Sequence, residues 1–269
     1  MAMRALLHAT EPARAVLDAG TLVAGLPLLM LAPRGEPHPV LVLPGLLADD
    51  SSTVTLRRFV GWLGYPAVGW SLGRNHGPTR RVVDGLPRLV ERLAGRSGQS
   101  VSIVGWSLGG VFARRLALRM PDRVRQVITL GSPFAVPEGR PGRSPGERVY
   151  RRLSLFHVAD RIHPDGADEL AVPSTAIYSR WDGIVDWRTC REAPGPMRES
   201  VGVRASHLGL GHHPAVLWVV ADRLAQSPGA WRPFRAPGRL GPRLLFTDDD
   251  TDQYTDHSTD HNIHHYTDH

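Results

Sequence analysis

Val101-Ser102-Ile103-Val104-Gly105-Trp106-Ser107-Leu108-Gly109-Gly110-Val111-Phe112 decides the reading of this chain. The first four residues are a short, largely apolar run of the kind that forms a buried strand. From residue 108 to 120 the apolar residues recur at helical spacing, with Phe112, Leu116 and Met120 on one side. Ser107 therefore stands on the turn between a strand and a helix, in a Gly-x-Ser-x-Gly frame. Glycines suit that place because the two backbones come too close there for a Cβ. The turn lifts the serine hydroxyl above the end of the strand. It also sets the unpaired N–H groups of the first helical turn beside that hydroxyl.

Outward from this stretch, strand and helix signals alternate. Short apolar runs at 40–43, 66–70, 124–130 and 174–178 read as strands, and 199–204 as a further one. Helical spacing marks 54–63, 79–93 and 214–225, with Pro87 expected to bend or interrupt the second. Apolar strands alternating with helices predict an α/β domain, a mostly parallel sheet flanked by helices on both faces.

Gly-Trp-Ser-Leu-Gly occurs twice, at 69–73 and at 105–109. A serine on such a turn is a candidate nucleophile, and context separates the copies. Ser71 precedes Arg74-Asn75-His76-Gly77-Pro78, which cannot open a helix, so Ser71 is expected in a loop near the C-terminal edge of the sheet. Ser107 has both the strand before it and the helix after it. A serine hydroxyl needs a base, and the base needs a carboxylate to orient it.

The order of elements from residue 40 to 225, with this serine in it, resembles the α/β-hydrolase fold and bacterial serine esterases and lipases in particular. The resemblance implies a nucleophile at Ser107 and an oxyanion hole made by the backbone N–H groups of Leu46 and Leu108. Pro44-Gly45-Leu46 stands where the family commonly has His-Gly. It implies an acid after a late strand: Asp182, in Tyr178-Ser179-Arg180-Trp181-Asp182-Gly183-Ile184-Val185-Asp186, matches, with Asp186 as an alternative that would otherwise cap the next turn. It implies a base in Ser206-His207-Leu208-Gly209-Leu210, namely His207. Asp160, Asp165, Asp168, His157 and His163 read as surface residues, and His212 and His213 as supporting or surface ones. The implied activity is carboxylic-ester hydrolysis through an acyl-enzyme. Acyl transfer or lactone or amide hydrolysis with the same triad, and a non-catalytic ligand-binding relative, remain as alternatives.

Composition bounds the partners. The net charge is +6, every basic residue is arginine, and the arginines are scattered beside acidic residues, so no nucleic-acid surface is expected. No Cys/His cluster or Gly-rich phosphate loop is present, so neither a metal nor another cofactor is expected. The expected partner is a small ester with an apolar acyl chain. The single cysteine, Cys190, and the lack of a clear signal peptide point to the cytoplasm. Residues 1–36 are expected to form a helix and an apolar segment that packs on the core. The run 21–32, interrupted by Gly25 and Pro27, is too short to span a bilayer but could touch a lipid surface. The hydrolase domain should run from 37 to 246. Within it a lid-like insertion at 135–171, with Leu153, Leu155, Phe156 and Val158 on the apolar side of one small helix, would line an acyl pocket with Leu46 and Leu47. Residues 247–269, almost wholly Thr, Asp, His and Tyr, have no core-forming pattern and read as a disordered tail.

Overall fold

The computed structural model describes residues 2–135, 170–237 and 245–247. Six strands form one sheet: β1 (Val40–Leu43), β2 (Ala67–Gly69), β3 (Val101–Trp106), β4 (Val124–Leu130), β5 (Ser174–Tyr178) and β6 (Arg198–Gly202). Their order is β2-β1-β3-β4-β5-β6, and every pairing is parallel. β1, β3 and β5 are buried along their whole lengths, as a sheet covered on both faces requires.

The period of two sorts side chains to the two layers. Val40 and Val42 of β1, Val104 and Trp106 of β3 and Ile128 and Leu130 of β4 face one layer. There they meet α3 (Val54–Trp62) and α6 (Pro214–Leu224). Leu41, Leu43, Val101, Ile103 and Val127 face the other layer, against α4 (Arg80–Ser97) and α5 (Leu108–Arg119). α4 runs through Pro87 without interruption. Its buried stripe of Val82, Leu86, Val90 and Ala94 outweighs the one lost backbone bond, and Thr79 caps its start.

The N-terminal segment departs from its expectation. α1 (Ala2–Ala9) is followed by α2 (Glu11–Leu29), a single helix of 19 residues that continues through Gly25 and Pro27. By length and composition α2 could cross a membrane, a property the shorter run 21–32 did not suggest. Gly25 marks a contact rather than a break. A Cβ there would lie 2.6 Å from Cβ of Pro214, so its absence lets α2 cross α6 closely. Leu22, Leu28 and Leu29 pack inward, whereas Val16, Leu17, Val23, Leu26 and Met30 are exposed.

At the other end, Phe246 is buried and bridges Val203, and the Thr247 N–H donates to Gly202 O at 3.0 Å. Thr247, the first residue of the expected tail, is thus bonded to the end of β6. Residues 248–269 and most of the expected lid, 136–169, lie outside the described residues. With them fall Leu153, Leu155, Phe156 and Val158 of the expected acyl pocket, together with Asp160, Asp165, Asp168, His157 and His163.

Candidate active site

β1 has β2 on one side and β3 on the other, so the strand order reverses at β1/β3. In an open parallel sheet the crevice at the C-terminal ends of such a pair is where ligands bind. The segments leaving β1 and β3 are Pro44-Gly45-Leu46 and the turn at Ser107. They touch: a Cβ on Gly45 would lie 3.3 Å from Cβ of Ser107.

Ser107 has φ +52° and ψ −120°, a strained conformation for a side chain larger than hydrogen. Its flanks explain how the strain is held. A Cβ on Gly105 would lie 2.4 Å from Cα of Gly110, and one on Gly109 would lie 2.4 Å from Leu43 O. The Ser107 N–H donates to Leu130 O at 2.8 Å, which fixes the turn to β4. Leu108 is the first residue of α5, so its N–H is one of the helix's unpaired donors. Among the described residues the Leu46 N–H has no hydrogen-bond partner either.

The Pro44–Ala48 loop is held by a residue the sequence reading passed over as mere loop. Asn75 is fully buried. Its side-chain amide donates to Pro44 O at 2.9 Å, its carbonyl accepts the Leu47 N–H at 2.7 Å, and its N–H donates to Ala48 O at 2.8 Å. These bonds hold Leu47 at φ +61°, with its side chain 62% exposed. The identical pentapeptide around Ser71 also turns at positive φ, +57°. Ser71 is exposed after edge strand β2, no helix begins until Arg80, and its N–H is taken by Asp50 at 3.0 Å.

The loops after β5 and β6 carry the other candidates. His207 Nδ1 and Asp182 Oδ2 are 2.6 Å apart, both residues buried. A carboxylate only accepts, so Nδ1 carries the hydrogen and Nε2 is left as the ring's acceptor. The second Asp182 oxygen accepts the N–H groups of Ile184 and Val185, at 2.8 and 2.7 Å, which fixes the carboxylate plane. Burial opposes a charged imidazole, but Asp182, with a lesser contribution from Glu11, outweighs it and holds the His207 pKa above the ordinary histidine value.

His207 reaches the Ser107 turn through its neighbours. Trp106 Nε1 donates to His207 O at 3.2 Å. Gly131, which follows the Leu130 carbonyl that holds Ser107, has φ +54°, and a Cβ on it would lie 3.1 Å from His207 Nδ1 and 3.2 Å from Asp182 Oδ2. Only glycine fits there. Asp182 and His207 are thus paired in the loops after β5 and β6, and Ser107 stands after β3 at the same, C-terminal end of the sheet.

The competing residues lie elsewhere. Asp186 caps the turn Trp187–Cys190 by accepting the Arg188 N–H at 3.2 Å. His213 caps α6 through the Ala215 N–H, and His212 Nε2 lies 3.4 Å from Ala15 O. Among the described residues no group of three His, Cys, Asp or Glu side chains is arranged to hold a metal.

The parallel sheet, its order and the strand–turn–helix at Ser107 give this chain the α/β-hydrolase fold. It is similar to the mature lipase of Bacillus licheniformis, with TM-score 0.52 and 15% identity over 72% of this chain and 96% of that one. It is also similar to Aspergillus fumigatus lipase B, with TM-score 0.50 and 18% identity over 75% of this chain and 58% of that one. At such identities the likeness establishes the fold. No protein-family profile matches the chain. Among curated proteins it is 43% identical over 58 residues to the pimeloyl-[acyl-carrier protein] methyl ester esterase of Nitrosomonas europaea, covering 21% of this chain and 23% of that protein. To the protein of the same name from Aeromonas salmonicida it is 38% identical over 76 residues, 27% of this chain and 30% of that one. The chain thus spans less than a third of the length of the curated relatives it matches.

Proposed function

We propose that this protein is a carboxylic-ester hydrolase in which Ser107, His207 and Asp182 act as nucleophile, base and orienting acid. The observation that carries the reading is the buried 2.6 Å bond between Asp182 and His207, made at the sheet end where Ser107 is held on its strained turn. Esterase and lipase names among the similar proteins support it.

The chemistry follows from the placement. Asp182 keeps hydrogen on Nδ1, so Nε2 takes the Ser107 proton as the hydroxyl oxygen bonds to the ester carbonyl carbon. The carbonyl electron pair moves onto oxygen, and the Leu46 and Leu108 N–H groups receive that charge. A donor of this kind lowers the barrier by about 3–4 kcal/mol. Collapse breaks the carbon–alkoxy bond, and the imidazolium returns its proton to the leaving alcohol. Water, deprotonated by His207, then releases the acid from Ser107. No step calls for a metal or an organic cofactor. Acyl transfer, with an alcohol or thiol in place of that water, uses the same groups.

The finer reading is a small ester with an apolar acyl chain, near a lipid surface in a cytoplasmic setting. The exposed apolar side of α2 supports the surface contact, and a chain whose single cysteine, Cys190, is buried is compatible with a reducing compartment. The test is turnover of p-nitrophenyl esters of graded chain length together with labelling by a fluorophosphonate. Wild type should turn over and label. Ser107→Ala should do neither beyond a small residue, while Ser71→Ala should do both. Labelling that survives Ser107→Ala and is lost in Ser71→Ala would reassign the nucleophile. An unlabelled wild type would favour a non-catalytic binding protein.

A further inference from the structure

α2 carries three charged residues on the side turned to the domain. Glu11 and Asp18 are seven residues apart, two helical turns, and so share a face. Both are buried, at 2% and 8% exposure, which is uncommon for carboxylates unless their oxygens are satisfied. Here they are satisfied by backbone of the two loops that hold Asp182 and His207. Glu11 Oε2 accepts the Gly183 N–H, and its Oε1 accepts the Leu208 N–H, each at 3.0 Å. Asp18 Oδ2 accepts the Ser206 N–H at 2.8 Å and the Ser206 hydroxyl at 2.5 Å. Arg14, between them, is paired with Glu11 at 2.5 Å and donates to Trp181 O.

The contacts are symmetric about the chemistry. Trp181 and Gly183 flank Asp182, and Ser206 and Leu208 flank His207, so α2 holds the residue on each side of both. Two glycines make room for it. A Cβ on Gly183 would lie 2.6 Å from Glu11 Oε2, and one on Gly209 would lie 2.0 Å from Asp18 Oδ2. A helix that merely covered the domain would not need two buried carboxylates and an arginine aimed at these four residues.

We propose that α2 is a positioning element for the Asp182–His207 pair, with Glu11 and Asp18 as its anchors and the Glu11 charge favouring the imidazolium that forms during turnover. Glu11 and Asp18 are positioning residues that act through the loops. The inference rests on the hydrolase reading for its effect on rate, but its effect on the His207 ring does not depend on turnover. Asp182 from the loop after β5 and Glu11 from α2 are the charged groups that act on the His207 ring; on α2, Arg14 pairs with Glu11 and Asp18 bonds Ser206, and His212 and His213 follow in its own segment. The near-isosteric Glu11→Gln removes one negative charge and leaves Arg14 unpaired. Both changes disfavour the imidazolium, so the His207 pKa must fall.

The experiment uses the full chain as wild type, Glu11→Gln and Asp18→Asn. It measures kcat and KM against pH with a p-nitrophenyl ester, the NMR titration of the His207 ring, and the melting temperature. Because His207 must be neutral to accept the Ser107 proton, wild-type kcat/KM should rise through an apparent pKa above the ordinary histidine value. In Glu11→Gln that limb and the ring titration should both move to lower pH. kcat should drop by up to about a hundredfold, the scale of a small misplacement of reacting groups, with KM little changed. Asp18→Asn should lower kcat likewise, and serves if Glu11→Gln does not fold. A lower melting temperature with unmoved kcat, pH limb and ring titration would overturn the proposal and leave α2 a structural strut. If wild type neither turns over nor labels, the hydrolase reading fails, and an unmoved ring titration then overturns this inference separately.

Discussion

At the scale of single residues, two aspartates four positions apart do different work because their surroundings differ. Asp182 presents one oxygen to His207 and the other to two backbone N–H groups. Asp186 spends its carboxylate on the turn that follows it and on Arg188, 3.6 Å away. Asp182→Asn replaces an acceptor facing Nδ1 with an amide that can present a donor, which favours the wrong imidazole tautomer. Where this has been done in a serine triad, turnover falls by about four orders of magnitude. The same outcome is expected here in kcat for a p-nitrophenyl ester. Asp186→Asn should leave kcat near wild type and change the melting temperature little, because the amide oxygen can still cap the turn and only the contact with the exposed Arg188 weakens. The reverse ranking in kcat would move the acid to Asp186.

At the scale of elements, the β3–α5 elbow depends on backbone approach rather than on side-chain contacts. Gly105 faces backbone atoms of Gly109 and Gly110 at 2.4–2.5 Å from where a Cβ would sit, and backbone cannot swing aside as a side chain would. Gly105→Ala must therefore spread the strand from the helix. The overpacking should cost about 1–3 kcal/mol and slow fluorophosphonate labelling, because the Ser107 turn and the Leu108 N–H move with it. Gly61 in α3 is the control, since nothing lies within 4 Å of a Cβ there. Gly61→Ala should stabilise by roughly 0.5–1 kcal/mol, from helix propensity alone. Urea unfolding of the two variants checks both signs. Equal effects would mean that the elbow has slack the geometry does not show.

At the scale of the whole molecule, a buried histidine far from the site couples stability to pH. His38 Nε2 lies 2.7 Å from the Ser102 hydroxyl at the start of β3, and the ring meets Tyr65 edge-on. Burial lowers its pKa to about 4, against the hydrogen bond to Glu36 O and with some help from Arg125. An unfolded histidine titrates near 6.5. Between those values the unfolded chain binds a proton that the folded chain refuses, so stability is lost as pH falls through that window. The urea midpoint of wild type should drop between about pH 7 and pH 5, and His38→Gln should flatten that drop. An equal slope in both would assign the pH dependence to other groups. His207 acts in the opposite sense: its raised pKa adds stability at low pH and loses it as pH rises through the folded value.

What the sequence by itself determined is local. The alternation of apolar strands and amphipathic helices, the glycine-flanked serine between β3 and α5, and the different outlook of its twin at Ser71 all follow from periodicity and backbone sterics within a dozen residues. Asp182 and His207 were legible because their loops resemble those of a known fold, and the pairing of their side chains then follows from the sheet order. The anchors were not legible. Glu11 meets Leu208 across 197 positions and Asp18 meets Ser206 across 188. Their shared partners are backbone N–H groups, which every residue but proline carries, and the Ser206 hydroxyl that also bonds Asp18 is one serine among many, so neither position announces its anchor. Asn75 holds the Pro44–Ala48 loop in the same way, through backbone carbonyls and N–H groups. Gly25 looked like a helix breaker because the sequence shows its missing side chain but not Pro214 filling the space. Tertiary structure decided these roles because a hydrogen bond to backbone leaves no mark in the partner's side chain.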